Sequence, residues 1–234
     1  MSNFNILVVD DEIEICNAIE IYLKREGLNV FKAYDGIEAL QVLEEEKVHL
    51  ILLDVMMPKL DGIKTCLKIR ENRNIPIIIL SAKSENLDKI IGLNSGADDY
   101  ITKPFNHLEL IARVKSQLRR YEKPLDIENV NLKDQIIIKD LIIDTTLKSV
   151  TLRGELLKLT ATEYGILLLL ASNTGKVFSI KEIYENVWKA PFYHSENTVT
   201  VHIRRMREKI EINSKDPEYI KVVWGVGYKI EKLN

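Results

Sequence analysis

The segments LILLD (residues 50–54) and IPIIIL (residues 75–80) are apolar runs in which apolar and polar side chains do not alternate. A strand with one face in water alternates, whereas a strand covered by helices on both faces does not. Segments with helical spacing follow both runs. The two runs therefore predict central strands of a sheet that is covered on both faces.

The same succession of strand and helix extends over residues 4–118. Repeated β-α units build a largely parallel sheet. We expect five strands, near 5–9, 29–33, 49–54, 76–81 and 99–102, and five helices, near 12–26, 36–46, 62–71, 86–95 and 107–119. The first half is therefore predicted to be an α/β domain.

Length and composition suit two globular domains, because the chain has 234 residues, of which 46% are hydrophobic and 29% charged. No apolar stretch reaches the roughly 18 residues of a membrane span, and the start MSNFNILVVDD lacks the basic flank of a signal peptide. We expect a cytoplasmic protein without a membrane partner. Cys16 and Cys66 have no CxxC partner, which favours buried reduced thiols.

The β-α repeat stops after residue 120, where the polar stretch YEKPLDIENVNLKDQ predicts a linker. Beyond it, β-like segments precede three helices and a hairpin with a glycine-bearing turn at 225–227. Thr160 with Glu163, and Ser179 with Glu182, match the capping box that begins a helix. The predicted domains are 1–121 and 136–234, joined by the linker 122–135.

The third of these helices, predicted from Asn197 to Ile210, carries a basic cluster although the net charge of the chain is only −2. Helical spacing predicts a core-facing stripe of Val199, Ile203, Met206 and Ile210. The opposite face then carries Asn197, Thr200, Val201, Arg204, Arg205, Arg207 and Glu208. Such a face suits the DNA major groove, although a run of arginines alone also fits a solvated helix face.

Acidic side chains and one lysine stand at the carboxyl ends of the predicted strands. Asp10 and Asp11 follow ILVV, Asp54 ends LILLD, and Lys103 follows DDYIT. The carboxyl ends of parallel strands meet at one edge of a sheet, so these side chains converge. Clustered aspartates resist ionisation without a cation, and Mg²⁺ takes carboxylate ligands without His or Cys. The cluster predicts a phosphoryl-accepting site with Asp54 as the nucleophile.

In such a site Lys103 would balance the phosphoryl charge, and Ser81, at the end of the fourth strand, would donate its hydroxyl. Taken singly, the same residues fit a helix N-terminal acid pair, a turn residue and a surface lysine. A Mg²⁺-dependent phosphohydrolase is an alternative function. It is disfavoured because Asp10 and Asp11 are adjacent, unlike the acids of DxD hydrolases, and because it leaves the second domain without a task.

The segments VVDDE (8–12), LLDVMMPKLDG (52–62), SAK (81–83) and GADDYITKPF (96–105) resemble the receiver domain of bacterial two-component response regulators. The resemblance covers the first half. It implies a flavodoxin-like (CheY-like) fold that is phosphorylated by a sensor histidine kinase and catalyses its own phosphorylation and dephosphorylation, without being a turnover enzyme. The implied site comprises Asp54 as phosphoacceptor with Lys103; Asp10, Asp11, Asp54 and the backbone carbonyl of Met56 as Mg²⁺ ligands; Ser81 and Tyr100 as a switch pair; and a cis peptide between Lys103 and Pro104.

Two of these assignments depend on the resemblance alone. From its position in the sequence, Tyr100 equally fits a half-buried aromatic on a strand. Met56 equally fits simple packing beside a turn that is set by Pro58 and Asp61-Gly62.

The segments LTATEYGILLLL (159–170), ENTVTVHIRRMREKI (196–210) and VVWGVGYKI (222–230) resemble the winged-helix output domain of the OmpR/PhoB class. The resemblance implies a helix-turn-helix whose third helix enters the major groove and a hairpin wing in the neighbouring minor groove. It assigns groove contacts to Asn197, Val201, Arg205 and Arg207, phosphate contacts to His202 and Arg204, and the wing to Trp224, Gly225, Gly227 and Tyr228. Thr200, which flanks the same face, is also expected to bind DNA. Many relatives carry arginine where this chain has Trp224, and His202 equally fits an interface histidine.

The resemblance also implies partners. The segment KAPFYHS (189–195) matches a loop that relatives use to contact RNA polymerase, and WGVGYKIEK (224–232) is similar to VanR-type regulators. Phosphorylation would favour a homodimer on direct-repeat DNA half-sites. The implied dimer residues, which otherwise fit solvated surface charge, are Lys89, Asp98, Asp99, Glu109, Arg113 and Arg120. A DNA-binding protein that keeps the receiver only for dimerisation is the remaining alternative.

Overall fold

The computed structural model describes residues 4–82, 95–122, 135–189, 192, 196–214 and 216–232. The chain divides into two compact units, Met1–Tyr121 and Glu122–Asn234. Residues 86–94 of the helix predicted near 86–95 and residues 123–134 of the predicted linker lie outside the described residues. Within the described ranges, no helix is at once long and apolar enough to cross a bilayer.

The first unit is built on a five-stranded sheet in the order β2-β1-β3-β4-β5, parallel throughout. The predicted parallel sheet is therefore confirmed. Its strands are β1 (Asn5–Val9), β2 (Asn29–Ala33), β3 (Leu50–Asp54), β4 (Ile77–Ala82) and β5 (Asp99–Lys103). Its described helices are α1 (Ile13–Arg25), α2 (Gly36–Glu45), α3 (Gly62–Asn72) and α4 (His107–Glu122).

The central strand β3 positions the acidic cluster. All of its residues are buried, as the unbroken apolar run LILLD predicts. The order of the strands reverses between β1 and β3, and ligands of open α/β sheets bind at such a switch point. Val9 is paired with Leu53 across this point. Asp10 and Asp54 therefore meet at the carboxyl edge of the sheet.

The turn from β3 into α3 requires glycine at residue 62. A Cβ at Gly62 would lie 1.9 Å from the carbonyl oxygen of Asp54, which no side chain permits. The N–H of Gly62 donates to the carbonyl of Val55 at 3.0 Å, and the carboxylate of Asp61 caps α3 by accepting from the N–H of Lys64. The sequence Asp61-Gly62 thus lets α3 begin directly against Asp54.

The second unit combines an antiparallel sheet in the order β6-β7-β8-β9 with three helices and a hairpin. Both predicted capping boxes are present, at α5 and α6. The third helix begins one residue before its predicted start. The elements are β6 (Gln135–Ile138), β7 (Leu141–Asp144), β8 (Ser149–Leu152), β9 (Glu155–Leu156), α5 (Ala161–Ala171), α6 (Ile180–Trp188), α7 (Glu196–Ile210), β10 (Ile220–Val223) and β11 (Gly227–Ile230).

The core of the second unit forms around α5, which is buried from Thr162 to Ala171, as a helix that is apolar on all sides must be. The predicted stripe of α7 packs into this core and is buried throughout: Val199, Ile203, Met206 and Ile210. The hairpin joins the core through Phe178 and Tyr228, whose backbone N–H groups donate to each other's carbonyls at 2.9 Å.

Candidate phosphoryl-acceptor site and nucleic-acid interface

Asp10, Asp54 and Lys103 form one buried cluster at the carboxyl edge of the first sheet; we call it the acceptor cluster. The Nζ of Lys103 lies 2.7 Å from Asp10 Oδ2 and 2.7 Å from Asp54 Oδ1. The second oxygen of Asp54 accepts from the N–H of Met56 at 2.7 Å. Both carboxylates are buried. One ammonium group therefore serves two carboxylates in a site that is largely withdrawn from water.

The charge balance of the acceptor cluster sets the protonation of its members. Burial raises the pKa of Asp54 above its ordinary 3.8, and the hydrogen bond from Lys103 only partly opposes this. Burial alone would lower the pKa of Lys103, but its contacts with the carboxylates of Asp10 and Asp54 outweigh burial and raise that pKa above 10.5. Lys103 thus stays charged, while Asp54 is harder to ionise than a free carboxyl.

The residues of the acceptor cluster fit a hard divalent cation. Asp10 Oδ2 is a buried oxygen without an aligned hydrogen bond, although it lies in ion-pair contact with Lys103, so it retains a lone pair for a ligand. Asp11 is exposed beside it, and among the residues that the structure describes no three acidic, histidine or cysteine side chains converge. Two carboxylates with water and a carbonyl are enough for Mg²⁺.

The predicted switch pair lies on neighbouring strands. Ser81 is buried on β4 and is paired with Thr102 of β5, and Tyr100 is buried on β5. Met56 exposes its side chain and turns its backbone toward Asp54. The cis peptide predicted between Lys103 and Pro104 is present and is thereby confirmed.

On α7 the structure divides the predicted DNA-contacting residues by exposure. Thr200 and Arg204 are exposed, and Arg204 Nε donates to Glu208 at 3.1 Å. The side chain of Asn197 lies outside the described residues. The expected exposure of Val201 is wrong, because that side chain is only 6% exposed. Arg204 and Arg205 follow Val201 by three and four positions, where long stems cover a small apolar side chain.

The expected approach of His202 to DNA phosphates is also wrong, since the side chain is fully buried. Its ring lies 5.6 Å from that of Trp188 on α6. On the helical wheel His202 flanks the core stripe rather than the exposed face, one turn from Val199 and Met206. The alternative that it is an interface histidine fits this packing between α6 and α7.

Arg205 and Lys209 bind a buried carboxylate of the protein; together with Glu163 they form what we call the Glu163 cluster. Lys209 Nζ lies 2.6 Å from Glu163 Oε2, and Arg205 Nη2 lies 3.3 Å from Glu163 Oε1. Glu163 also accepts from the N–H of Thr160 in the capping box. Burial would raise the pKa of Glu163, but the charges of Arg205 and Lys209 outweigh burial and lower that pKa below its ordinary 4.5.

The hairpin between β10 and β11 has the form of a wing. Trp224 at its tip is 89% exposed, and Gly225 adopts a φ of 72°, which favours glycine. A Cβ at Gly227 would lie 1.9 Å from the carbonyl oxygen of Phe178. The guanidinium carbon of Arg207 lies over the ring of Tyr228, 5.7 Å from the centroid of that ring. Arg207, predicted to reach a DNA groove, contacts the base of the wing, and its contact with DNA stays a prediction.

Comparison with known proteins agrees with both halves of this description. Residues 6–115 match the response regulator receiver domain family, and residues 154–230 match the family of transcriptional regulatory protein C-terminal domains. The regulatory protein VanR of Enterococcus faecium is 47% identical over 228 residues, which are 97% of this chain and 98% of that protein. The chain is a two-component response regulator.

Two further relatives extend the match. The uncharacterized transcriptional regulatory protein YcbL of Bacillus subtilis is 43% identical over 96% of this chain and 99% of its own length. The crystal structure of the response regulator DrrB, an OmpR/PhoB homologue from Thermotoga maritima, is 37% identical with a TM-score of 0.51, covering 98% of this chain and 100% of that one. The response regulator thus has a receiver domain and an OmpR/PhoB-type winged-helix domain, which makes it a DNA-binding regulator of transcription.

Four of the six charged residues predicted for a receiver dimer, those whose side chains the structure describes, form ion pairs inside the response regulator. Asp98 pairs with Arg70 Nη2 at 2.7 Å, and both oxygens of Asp99 accept from Arg113 Nη1 at 2.9 Å. Glu109 also binds Arg113. Asp98, Asp99 and Arg113 are buried, which excludes the alternative that they are solvated surface charges, and their part in a dimer stays a prediction. Lys89 and the side chain of Arg120 lie outside the described residues.

Sequence reasoning missed three charged residues. It identified Glu163 only as a capping residue, although an acidic residue within an otherwise apolar helix signals a buried partner. It identified neither Arg70, which holds Asp98, nor Glu211, which follows α7 and accepts from the N–H groups of Tyr219 and Ile220. No local sequence pattern predicts the roles of Arg70 and Glu211, because their partners are distant in sequence or are backbone groups.

Proposed function

We propose that Asp54 is the phosphoacceptor, that the donor is a phosphohistidine of the sensor histidine kinase, and that Lys103 and Ser81 assist the transfer. The observation that carries the proposal is the position of Lys103 Nζ, 2.7 Å from both Asp10 and Asp54. An oxygen of Asp54 attacks phosphorus, the P–N bond breaks, and the imidazole keeps the electron pair of that bond and takes up a proton. Asp54 must be ionised for this step.

Asp10, Asp11, Asp54 and the carbonyl of Met56 are the residues that would hold Mg²⁺, and bound Mg²⁺ neutralises negative charge on the transferring oxygens. Lys103, which contacts Asp54, would exchange that contact for one with the phosphoryl group. Ser81, buried at the end of β4, would donate to the same group, and Tyr100 would repack with it. The receiver would catalyse its own phosphorylation and dephosphorylation in this way.

The test is incubation of the full-length protein with acetyl phosphate and Mg²⁺, followed by intact mass measurement. Wild type is expected to gain one phosphoryl group. Asp54→Asn is expected to gain none, while Asp61→Asn, a capping aspartate of the following turn, should gain it normally. Wild type without an adduct would contradict the proposal. Rapid turnover of small phosphoesters would instead favour the phosphohydrolase alternative.

We further propose that phosphorylation favours a homodimer which binds direct-repeat half-sites in the cytoplasm and there contacts RNA polymerase. One phosphoryl group adds about two negative charges to the edge of the sheet, which is enough to bias a two-state element. Because Asp98, Asp99 and Arg113 pair internally, such a dimer would require these pairs to exchange partners or other residues to form the interface.

Sedimentation with and without a beryllofluoride phosphoryl mimic tests the dimer, which should form only with the mimic.

Footprinting of Asp54→Asn beside wild type on genomic DNA tests whether phosphorylation controls DNA binding. We expect the variant to protect fewer sites under phosphorylating conditions. Equal protection would favour the alternative in which the receiver serves only for dimerisation.

A further inference from the structure

The C-terminal end of α7 binds both polar groups of one wing residue, Ile220. Arg207 Nε and Nη2 donate to the carbonyl oxygen of Ile220 at 3.1 and 2.6 Å. Glu211, one helical turn further on, accepts from the N–H of Ile220 at 2.9 Å and from that of Tyr219 at 3.0 Å. We call this set of bonds the helix–wing contact. Opposite charges from one helix end therefore hold the first residue of β10.

The helix–wing contact reaches both strands of the hairpin. Arg207 stacks over the ring of Tyr228 on β11, while it bonds Ile220 on β10. Glu211 also accepts from the N–H of Glu218, whose carboxylate is paired with Lys139 at 2.6 Å. Charge-assisted bonds to backbone groups are shorter and more directional than contacts between exposed side chains. The base of the wing is therefore fixed on α7, although its tip at Trp224 is exposed.

The cations of α7 then fall into two groups. Arg205 and Lys209 bind Glu163, and Arg207 binds Ile220, so these three hold groups of the protein itself. Arg204 is exposed, and among the described residues its ion-pair partner is an exposed glutamate of the same helix. The Nε–Nη2 edge of Arg207, which could otherwise bind a phosphate through two hydrogen bonds, is occupied by this carbonyl. Arg207 is thus distinguished from Arg204 by what it binds.

We propose that Arg207 and Glu211 are positioning residues that set the distance between the recognition helix α7 and the wing, so that both reach neighbouring grooves of DNA together. The proposal rests on the DNA-binding function proposed above. Two DNA-contacting elements that are held at a fixed separation lose less conformational freedom on binding than two elements that move independently. Loss of the helix–wing contact should therefore remove the contribution of the wing to affinity without removing a phosphate contact.

The first measurement is amide hydrogen exchange of residues 219–228 in the full-length protein without DNA. Arg207→Met and Glu211→Gln are expected to speed exchange there, and Arg204→Met, the same change at an exposed position of the same helix, is expected to leave it unchanged. Unchanged exchange in Arg207→Met and Glu211→Gln would overturn the proposal. The Gln variant preserves shape and provides the test if the Met variant folds poorly.

The second measurement is affinity across salt concentrations for a duplex that wild type selects from a random-sequence library. Arg204→Met should lower the salt slope by about one, as expected for a lost phosphate contact, whereas Arg207→Met should lower affinity with the slope unchanged. Arg207→Lys should not restore affinity, because an ammonium group cannot reproduce the pair of hydrogen bonds that the guanidinium donates to the carbonyl of Ile220. A reduced slope together with rescue by lysine would identify Arg207 as a phosphate contact and overturn the proposal.

A double-mutant cycle separates positioning from general destabilisation. Trp224→Ala should lower DNA affinity about fivefold in the wild-type background and much less in the Arg207→Met background. A difference of this size is typical of two residues that act as a unit. Thr200→Ala, on the exposed face of α7, should cost the same in both backgrounds. Additive losses at Trp224 would contradict the proposal. If wild type selects no duplex, the proposed function fails, while the exchange measurement still decides whether the helix–wing contact holds the wing.

Discussion

Each unit of the response regulator buries carboxylates among charged side chains, and the two clusters have opposite charge balance. In the acceptor cluster two carboxylates share Lys103; in the Glu163 cluster one carboxylate has two cations. Burial raises the pKa of Asp54, and the one lysine only partly opposes this; burial also acts to raise the pKa of Glu163, but two cations outweigh it and lower that pKa. The number of cationic partners therefore decides the sign of the shift. A cluster short of cations suits a site that receives Mg²⁺ and phosphate, and a cluster rich in cations suits a fixed helix contact.

The largest expected effect is at Glu163. Glu163→Ala leaves Arg205 and Lys209 without their buried partner, so we expect the second unit to lose about 3 kcal/mol of unfolding free energy. Glu182→Ala is the matched control, because Glu182 forms the same capping box on α6 but has no ion pair with any cation that the structure describes; it should cost about 1 kcal/mol or less. Both tryptophans of the chain, Trp188 and Trp224, belong to the second unit, so their fluorescence in urea follows this unit alone. Equal costs for the two variants would show that the cations add nothing to the cap.

In the acceptor cluster the corresponding change should have the opposite sign. Asp54→Asn removes one of two carboxylates that share a single ammonium, so we expect the first unit to gain about 1 kcal/mol of unfolding free energy. Asp35→Asn in the same unit should destabilise it, because Asp35 is a buried helix cap whose pKa is lowered by Lys59. Amide exchange of β3 in urea reports on this unit. Destabilisation by Asp54→Asn would mean that Lys103 fully compensates both carboxylates.

A smaller effect is expected from pH. A raised folded-state pKa gives Asp54 a stabilising contribution below its ordinary 3.8 that is lost as the pH rises through the folded value. A lowered pKa gives Glu163 a contribution above its ordinary 4.5 that is lost as the pH falls through the folded value. When the pH is lowered from 7 to 4, the unfolding free energy that Asp54→Asn gains over wild type should therefore shrink by about 1 kcal/mol or less. The unfolding free energy that Glu163→Gln loses should shrink by a similar amount. Unfolding curves of both variants beside wild type test this, and a gain in Asp54→Asn that grows on acidification would contradict it.

How far each cluster could be predicted depends on what brings its members together. Asp10, Asp54 and Lys103 were predictable, because parallel strands place their carboxyl ends at one edge whatever the side-chain packing. The partners of Glu163 were not, since α5 and α7 meet through tertiary packing that a helical wheel does not contain. The same limit explains Asp99 and Arg113, which look like surface charges until α4 packs against β5 and buries both. Strands and capping boxes can be predicted because their sequence patterns are local or periodic. Ion pairs between elements have no such pattern in the sequence.

The smallest expected effect concerns Arg204 and Glu208, an ion pair with both side chains more than half exposed. A double-mutant cycle with Arg204→Gln and Glu208→Gln should give a coupling of about 0.3 kcal/mol in unfolding free energy, and salt should screen it. Because so little holds Arg204 to the protein, its guanidinium can leave Glu208 for a phosphate at almost no cost. Glu208→Gln should therefore tighten DNA binding while leaving the urea midpoint unchanged. If it weakened binding instead, Glu208 would itself contact DNA, and the contrast between Arg204, held by an exposed ion pair, and the internally bound Arg205 would not hold.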